Sequence, residues 1–376
     1  MRLTARQLNR ATLERQLLLR RASLPVVDAV HRVVALQAQA PPSPYIGLWN
    51  RVAEFEPAEL DRAFAGQAVV KASLMRIAMQ AVAGADYPTF HEAMQISLRP
   101  ARLNDQRFRV AGLSIPEADA LIPTVAGYAA EPRTIAEVEA WLDERLGPPP
   151  RRGVWWAMRH YGPFVHAATG GPWSFGDRPS YVAARVQERP GDEAASIQRL
   201  AYRYLEGFGP ATARDLATFA MISRPRAMDA VRSLADSLAR FEGLDGSELF
   251  DVPGGALPDE DTPAPPRLMA MWDNALLAYV DRSRIIPPDY RRHVTRSNGD
   301  VLPTLLVDGY VAGVWRPVED GIEATAFHRL PDDAWAGLEE EARALRTFLA
   351  DRELLIYRRY AHWWATLPGA EVRVLV

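Results

Sequence analysis

Capped helical segments followed by a hairpin recur three times in succession, clearly once and more weakly twice upstream, and this pattern restricts the fold more than any other feature of the chain. The clearest copy is GPATARDLATFAMISRPRAMDAVRSL, residues 209–234. Thr212 and Asp215 have the spacing of a capping box. Leu216, Phe219 and Ala220 give that helix an apolar face, and Ser223 with Pro225 in the next turn marks the start of a second helix. SLARFEGLDGSELFDV then reads as two short strands turning at Asp245–Gly246. Helix, turn, helix and hairpin together make a winged helix-turn-helix.

A second copy lies upstream. TIAEVEAWLDERLG opens with Thr134 and Glu137 as a capping box, a proline turn and a helix near 151–160 follow, and GPFVHAATGGPWSFGDRPSYV alternates like a hairpin. The third copy is EPAELDRAFAG, with Pro57 in its first turn, followed by the β-rich AVVKASLMRIAMQAV. Before it, 4–20 and 24–35 read as amphipathic helices. After PGGALPDEDTPAPPR (253–267), a Pro/Gly/acidic linker, the texture changes. TRSNGDV and TLLVDGYVAGVW carry the hairpin signals Asn298–Gly299 and Asp308–Gly309, and one helix, GLEEEARALRTFLADRE, follows. The expected fold is α+β, mostly α: three tandem winged helix-turn-helix motifs plus a C-terminal β-rich domain. The expected division is 1–125 (N-terminal helices and first winged helix), 126–190, 191–256 and 268–376.

Composition narrows the chemistry. The chain has no cysteine, which excludes disulfides, thiolate zinc sites and cysteine-held iron–sulfur clusters. Seven histidines are scattered with no metal-ligand spacing, so neither a metal nor another cofactor is expected. Lys71 is the single lysine, so a mechanism needing an amine nucleophile must use it or the N-terminus. Nothing beside Lys71 in the sequence lowers its pKa. The net charge of −3 argues mildly against a dedicated nucleic-acid binder, but the charge is segregated. Arginines cluster at 99–109, 151–159, 223–232 and 289–296, and acid at 258–262 and 339–342. No run of about 18 apolar residues occurs, and the N-terminus lacks an apolar signal core. A cytoplasmic protein is therefore expected, with no membrane partner.

Between an apolar helix and Pro41, Pro42 and Pro44 stand two amides, Gln37 and Gln39, separated by Ala38. On a helix, residues two apart diverge; in an extended segment they share a face, and residues before proline avoid the helical region. The pair is either two idle polar groups at a helix end or a functional pair aimed at one point. A functional pair would be restricted. A neutral amide is a poor base, but its carbonyl accepts and its NH2 donates, so it can orient a water or steady a developing positive charge. That suits hydrolysis of a bond whose leaving group is already a cation.

Gln37-Ala38-Gln39, the following PPSPYIGLW, the tandem winged helices, DTPAPPRLMAMWDNALL and PTLLVDGYVAGVWR together resemble one family over nearly the whole chain. It is the bacterial tandem winged-helix DNA glycosylases that excise bulky alkylated bases, of the AlkZ-like, azinomycin-resistance type. A sister YcaQ-like branch carries Gln-aliphatic-Asp where this chain has Gln-aliphatic-Gln. The resemblance implies a C-shaped array of the three winged helices and catalytic roles for Gln37 and Gln39. It also implies hydrolysis of the N-glycosidic bond of N7-alkylguanine adducts or interstrand crosslinks in double-stranded DNA, in DNA repair or antibiotic self-resistance. One departure stands out: relatives often read Gly-Thr-Leu-His after the residue matching Arg76, and this chain has Ile77 to Gln80.

Arg224 and Arg226 of the third winged helix, with Arg292, Arg296 and Asn298 of the C-terminal hairpin, are the expected DNA contacts. The shortage of amines predicts a monofunctional enzyme that leaves an intact abasic site, and a monomer is expected. The rival reading is a winged-helix transcription regulator that binds undamaged DNA, in which the two glutamines would have no task. A third reading is drug sequestration in a tryptophan-lined cleft.

Overall fold

A computed structural model describes residues 1–185 and 192–376. Helix α1 (Ala5–Arg15) opens the chain on a Thr4/Gln7 capping box. The first unit comprises α2 (Val26–Arg32), β1 (Leu36–Gln37), α3 (Ser43–Trp49), α4 (Pro57–Ala65), β2 (Val69–Ser73) and β3 (Met79–Ala83). Its antiparallel sheet has the order β1-β3-β2. Helices α5 (Tyr87–Leu103) and α6 (Gln106–Arg109) lead to the second unit: α7 (Ile115–Tyr128), β4 (Arg133–Thr134), α8 (Ile135–Leu146), α9 (Arg152–Tyr161), β5 (Phe164–His166) and β6 (Ser180–Ala183). Its sheet order is β4-β6-β5. The third unit contains α10 (Glu193–Phe208), α11 (Ala213–Ala220), α12 (Arg224–Ser233), β7 (Ala239–Glu242) and β8 (Glu248–Asp251).

The same topology repeats in all three. In each unit the extended residues between the first and second helices pair with the last strand: β1 with β3, β4 with β6, and Ala211 with Phe250 of β8. Each unit therefore carries a two-stranded wing and a short third strand tying the first helix to it. Two expected caps form as capping boxes, Thr134 with Glu137 and Thr212 with Asp215. Ser223 occupies the N-cap of α12, but its side chain makes no capping bond, a correction to the sequence reading. The expected division at 125/126 falls inside α7, which packs on α9 and β6 as the first helix of the second unit. The division at 190/191 lies outside the described residues.

The C-terminal domain is a five-stranded antiparallel sheet in the order β13-β12-β11-β10-β9, built from β9 (Arg267–Leu268), β10 (Thr304–Val307), β11 (Tyr310–Val318), β12 (Gly321–Ala326) and β13 (Glu371–Leu375). Asp308 and Gly309 turn β10 into β11 with φ of 48° and 80°, the doubly positive geometry that a tight two-residue hairpin favours. Short helices α13 (Asn274–Leu277) and α14 (Arg291–Val294) lie between β9 and β10, and α15 (Asp332–Ala350) covers the sheet.

Two apolar cores meet at the first unit's sheet. Leu36, Val69 and Ala81 join a core with Trp49, Met269, Trp315 and Trp335, which binds that unit to the C-terminal domain. Val70, Ala72 and Val82 belong to the other core, with Phe90, Trp155, Phe208 and Phe219 of the remaining units. The sheet is thus buried on both faces, and its open end is where the chain turns out at Gln37. Helix α1 pins the ends together. Arg15 makes a bidentate bond to Asp251 of the third unit at 2.6 and 2.7 Å. Arg6 and Arg10 reach Asp308 of the C-terminal hairpin, and Thr4, Arg6 and Arg10 bond Glu260 and Thr262 of the linker, which is fixed against the helix. Among the described residues, no helix is long and apolar enough to cross a membrane.

Candidate active site

The two glutamines are delivered by a break in helical geometry. Helix α2 ends at Arg32, Val34 takes φ of 72°, and the chain straightens into β1. Gln37 pairs with Gln80 of β3, and the ladder extends one bond further, Ala38 N–H to the Met79 carbonyl at 2.9 Å. Pro41 and Pro42 then redirect the chain into α3, all of whose residues are buried. This helix is bolted to the C-terminal domain. Ser43 bonds Tyr357 at 2.9 Å, Asn50 donates to the Leu268 carbonyl at 2.8 Å, and Arg51 makes a buried bidentate pair with Asp273, both bonds 2.8 Å.

The amides differ. Gln37 is buried, and its Oε1 accepts the backbone N–H groups of Ala38 (2.8 Å) and Gln39 (3.2 Å). Two donors at that atom require it to be the oxygen, so the carbonyl of Gln37 is committed to shaping its own loop and its NH2 is left for an external acceptor. Gln39 is exposed, and its side chain has no partner among the described residues. It can present either end of the amide to a ligand.

Both glutamines line one open cavity of about 400 Å³ between the first unit and the C-terminal domain. The facing wall is the turn Thr295–Val301, closed by a bridge between its end residues, with Asn298 and Gly299 (φ 89°) at its tip. Trp272 steadies that turn by donating Nε1–H to the Gly299 carbonyl at 3.1 Å. Asp300, the carboxylate in the lining, accepts Nδ2–H of Asn298 (2.9 Å) and Nε1–H of Trp363 (3.0 Å) on the same oxygen. Tyr360 meets Trp272 edge-on, with ring centroids 5.3 Å apart.

Arg76 forms the floor. It and Ile77 both have left-handed backbone, φ of 60° and 53°. A β-branched residue rarely adopts that conformation, so Ile77 holds local strain of the kind that collects at functional sites. The strained turn aims Arg76 across the seam, where its Nη2 donates to Asn274 Oδ1 at 2.6 Å and its guanidinium lies over Phe219. Asn274 in turn donates Nδ2–H to the Ala35 carbonyl (2.8 Å) and to Gln80 Oε1 (3.1 Å). Gln80, fully buried, therefore ties the strand behind Gln37 to the C-terminal domain. Burial and the neighbouring Arg282 lower the Arg76 guanidinium to about 10, so it stays charged at neutral pH.

Asn298 is the one expected DNA contact that lines this cavity. Arg224 is exposed at the start of α12, and Arg226 is exposed but ion-paired with Glu193. Arg292 lies in α14, not in a hairpin, and is exposed beside His293. Arg296 stacks on Trp363 at 4.4 Å and donates to Thr366 at 3.1 Å. Lys71 corrects the sequence reading in a different way. It is 6% exposed, and burial lowers its amine to about 8. The cause is desolvation by packing from distant segments, which no local reading could supply; the Phe175 ring of the second unit lies 4.3 Å from Nζ, and its face partly offsets that cost. Lys71 pairs with Ala81, whereas Gln37 and Ala72 pair with Gln80, so the amine and Gln37 point to opposite faces of the sheet.

Sequence reasoning missed Arg76, Arg282, Arg359, Trp272, Asn274 and Asp300 as parts of the site. One signal was available: Asp273–Asn274 is a polar pair inside the otherwise apolar run LMAMWDNALL. The other residues come from distant segments.

The family model described as DNA glycosylase AlkZ-like matches residues 30–348. A search of curated proteins returns no match. Among solved structures, the Streptomyces sahachiroi DNA glycosylase AlkZ superposes with a TM-score of 0.75 at 20% identity, over 92% of this chain and 96% of that one. At that identity the likeness is one of fold.

Proposed function

The chain belongs to the AlkZ-like DNA glycosylase family, and on that premise we propose that it hydrolyses the N-glycosidic bond of bulky N7-alkylguanine adducts or interstrand crosslinks in duplex DNA. The observation that carries this reading is the opening of Gln37 and Gln39 onto one cavity. An N7-alkylated guanine is a cationic leaving group, so the bond is weakened before the enzyme acts. What remains is to hold a water and stabilise an oxocarbenium-like sugar. Gln39 has the free amide for that task. Gln37, its carbonyl occupied by the loop, fixes the path of the motif and offers NH2 to the substrate. The cavity is a cleft between two domains, which suits a base tethered to the opposite strand, one that cannot swing into a deep pocket. Production of, or exposure to, a DNA-alkylating natural product is the setting in which such an activity gives self-resistance.

The enzyme is monofunctional in this account. Lys71 has a lowered pKa but faces away from Gln37, and arginine stays protonated and cannot form a Schiff base. Arg224, Arg226, Arg292, Arg296 and Asn298 serve as further backbone contacts, and one chain acts as a monomer. The division into three winged helices and a C-terminal domain is the scaffold for this clamp. The test is incubation with a duplex carrying an N7-alkylguanine, with mass spectrometry for free modified base. Borohydride trapping and a denaturing gel without heat or alkali accompany it. Free base with an uncut strand and no trapped complex is expected. A trapped complex or direct strand cleavage contradicts the monofunctional assignment, and absence of free base contradicts the substrate.

A further inference from the structure

Three arginines line the Gln37/Gln39 cavity, Arg76, Arg282 and Arg359, against the single carboxylate of Asp300. Among the described residues none of the three has a carboxylate partner. Arg76 bonds the neutral Asn274, and its Nη1 is buried with no hydrogen-bond partner among the described residues. Arg282 donates Nη1–H to Thr295 Oγ1 at 3.1 Å, while its Nε is likewise buried and unpartnered. Arg359 is exposed and lies over the ring of Tyr360 at 4.8 Å. Burial and like-charge neighbours disfavour the charge on Arg76 and Arg282, and buried donors left unmade are costly. Such an uncompensated set of positive charges favours an anion in the cavity.

The lining retains two positive charges, and each nucleotide of a duplex is flanked by two singly charged phosphodiesters. We propose that Arg76, Arg282 and Arg359 form a subsite for the phosphodiester groups flanking the scissile nucleotide. This rests on the DNA glycosylase assignment and identifies which part of the substrate the catalytic cavity grips. The reaction chemistry gives the subsite a second role. Three guanidiniums without carboxylate partners beside Gln39 oppose an oxocarbenium-like sugar; with two phosphates in place the formal charge of the cavity falls to zero, and the amide dipoles and Asp300 work with less opposition. The DNA backbone is then part of the electrostatic environment of the reaction, and an isolated modified nucleoside is a poor substrate.

The test uses the full chain with Arg282→Gln and Arg359→Gln, residues more exposed than Arg76. Binding to an undamaged duplex is measured by fluorescence anisotropy across a salt series. Each substitution is expected to reduce the slope of log K against log salt by about 0.9, the value for one lost phosphate contact. Wild-type slopes in both variants overturn the subsite. A second arm places uncharged methylphosphonates on either side of an N7-methylguanine. Wild-type binding should weaken, and Arg282→Gln should lose little more, because the contact it removes is already lost with the two neutralised phosphates. Additive losses overturn the assignment of Arg282 to those phosphates. Undamaged DNA carries the first readout, so failure of the N7-alkylguanine reading leaves that result intact and the two outcomes are separable.

Discussion

Along α1, every arginine drawn into the interior meets a carboxylate: Arg10 meets Asp308, and Arg15 meets Asp251 with both side chains almost fully buried. At the Gln37/Gln39 cavity, Arg76 meets an amide, Arg282 a hydroxyl and Arg359 an aromatic ring. The residue type is the same and the setting differs. In the α1 seam, charge is neutralised inside the protein and the arginines hold three segments of the chain together. In the cavity, charge is left over, and the packing there is maintained by neutral groups, chiefly Asn274, Gln80 and Trp272. The α1 guanidiniums with buried or turn carboxylates are part of the scaffold; those lining the cavity have no carboxylate partner among the described residues.

The largest effect expected from this contrast is on stability. Arg15→Ala strands Asp251 in the interior and should cost about 3–5 kcal/mol in chemical denaturation. Arg282→Gln, by the same measurement, should change stability by less than about 1 kcal/mol, since no internal charge pair is lost. Equal losses would erase the distinction between the two regions.

Lys71 is the intermediate case, a buried cation over the Phe175 ring with no carboxylate partner among the described residues. Unlike an arginine it can shed its proton. Its folded pKa, about 8, lies below the ordinary lysine value of 10.5, so the charged form destabilises the fold. That penalty is absent above about pH 10.5, grows as pH falls towards 8, and is constant below. Lys71→Met should therefore stabilise the protein at pH 7, by at most about 3 kcal/mol, with the gain shrinking as pH rises from 8 to 10.5. A gain independent of pH would mean that packing, not charge, is responsible.

The smallest effect is the most specific to the cavity. Asp300→Asn removes the one negative charge in the lining. Single-turnover excision should slow about tenfold, roughly one electrostatic contact weakened, while undamaged duplex binds more tightly. Movement of rate and affinity in the same direction would show that Asp300 serves only to hold the Asn298 turn.

Local signals carried much of this molecule. The Thr134 and Thr212 boxes, the Asp245–Gly246 and Asp308–Gly309 turns and the alternation of the wings are readable because each depends on residues a few positions apart. The prolines after Gln39 likewise make an extended motif legible, and the two amides do line one cavity. What could not be read depends on distant segments. Lys71 is buried against Phe175 of another unit, and Asn274 joins Arg76 to Gln80 across roughly half the chain. Arg282 and Arg359 look like any other surface arginine in sequence, and only the seam between domains brings them beside Gln37. The commitment of the Gln37 carbonyl to its own loop is also invisible to spacing, since it requires the side chain to fold back on the residues it precedes.

The central claim is that a pair of neutral amides, and Gln39 in particular, carries the hydrolysis. Single-turnover release of modified base from an N7-alkylguanine duplex, compared among wild type, Gln39→Ala and the Gln37→Ala/Gln39→Ala double variant, tests it most directly. The account predicts a loss of about 10²-fold or more for Gln39→Ala, with binding to the lesion duplex retained. Excision by the double variant at the wild-type rate would contradict it.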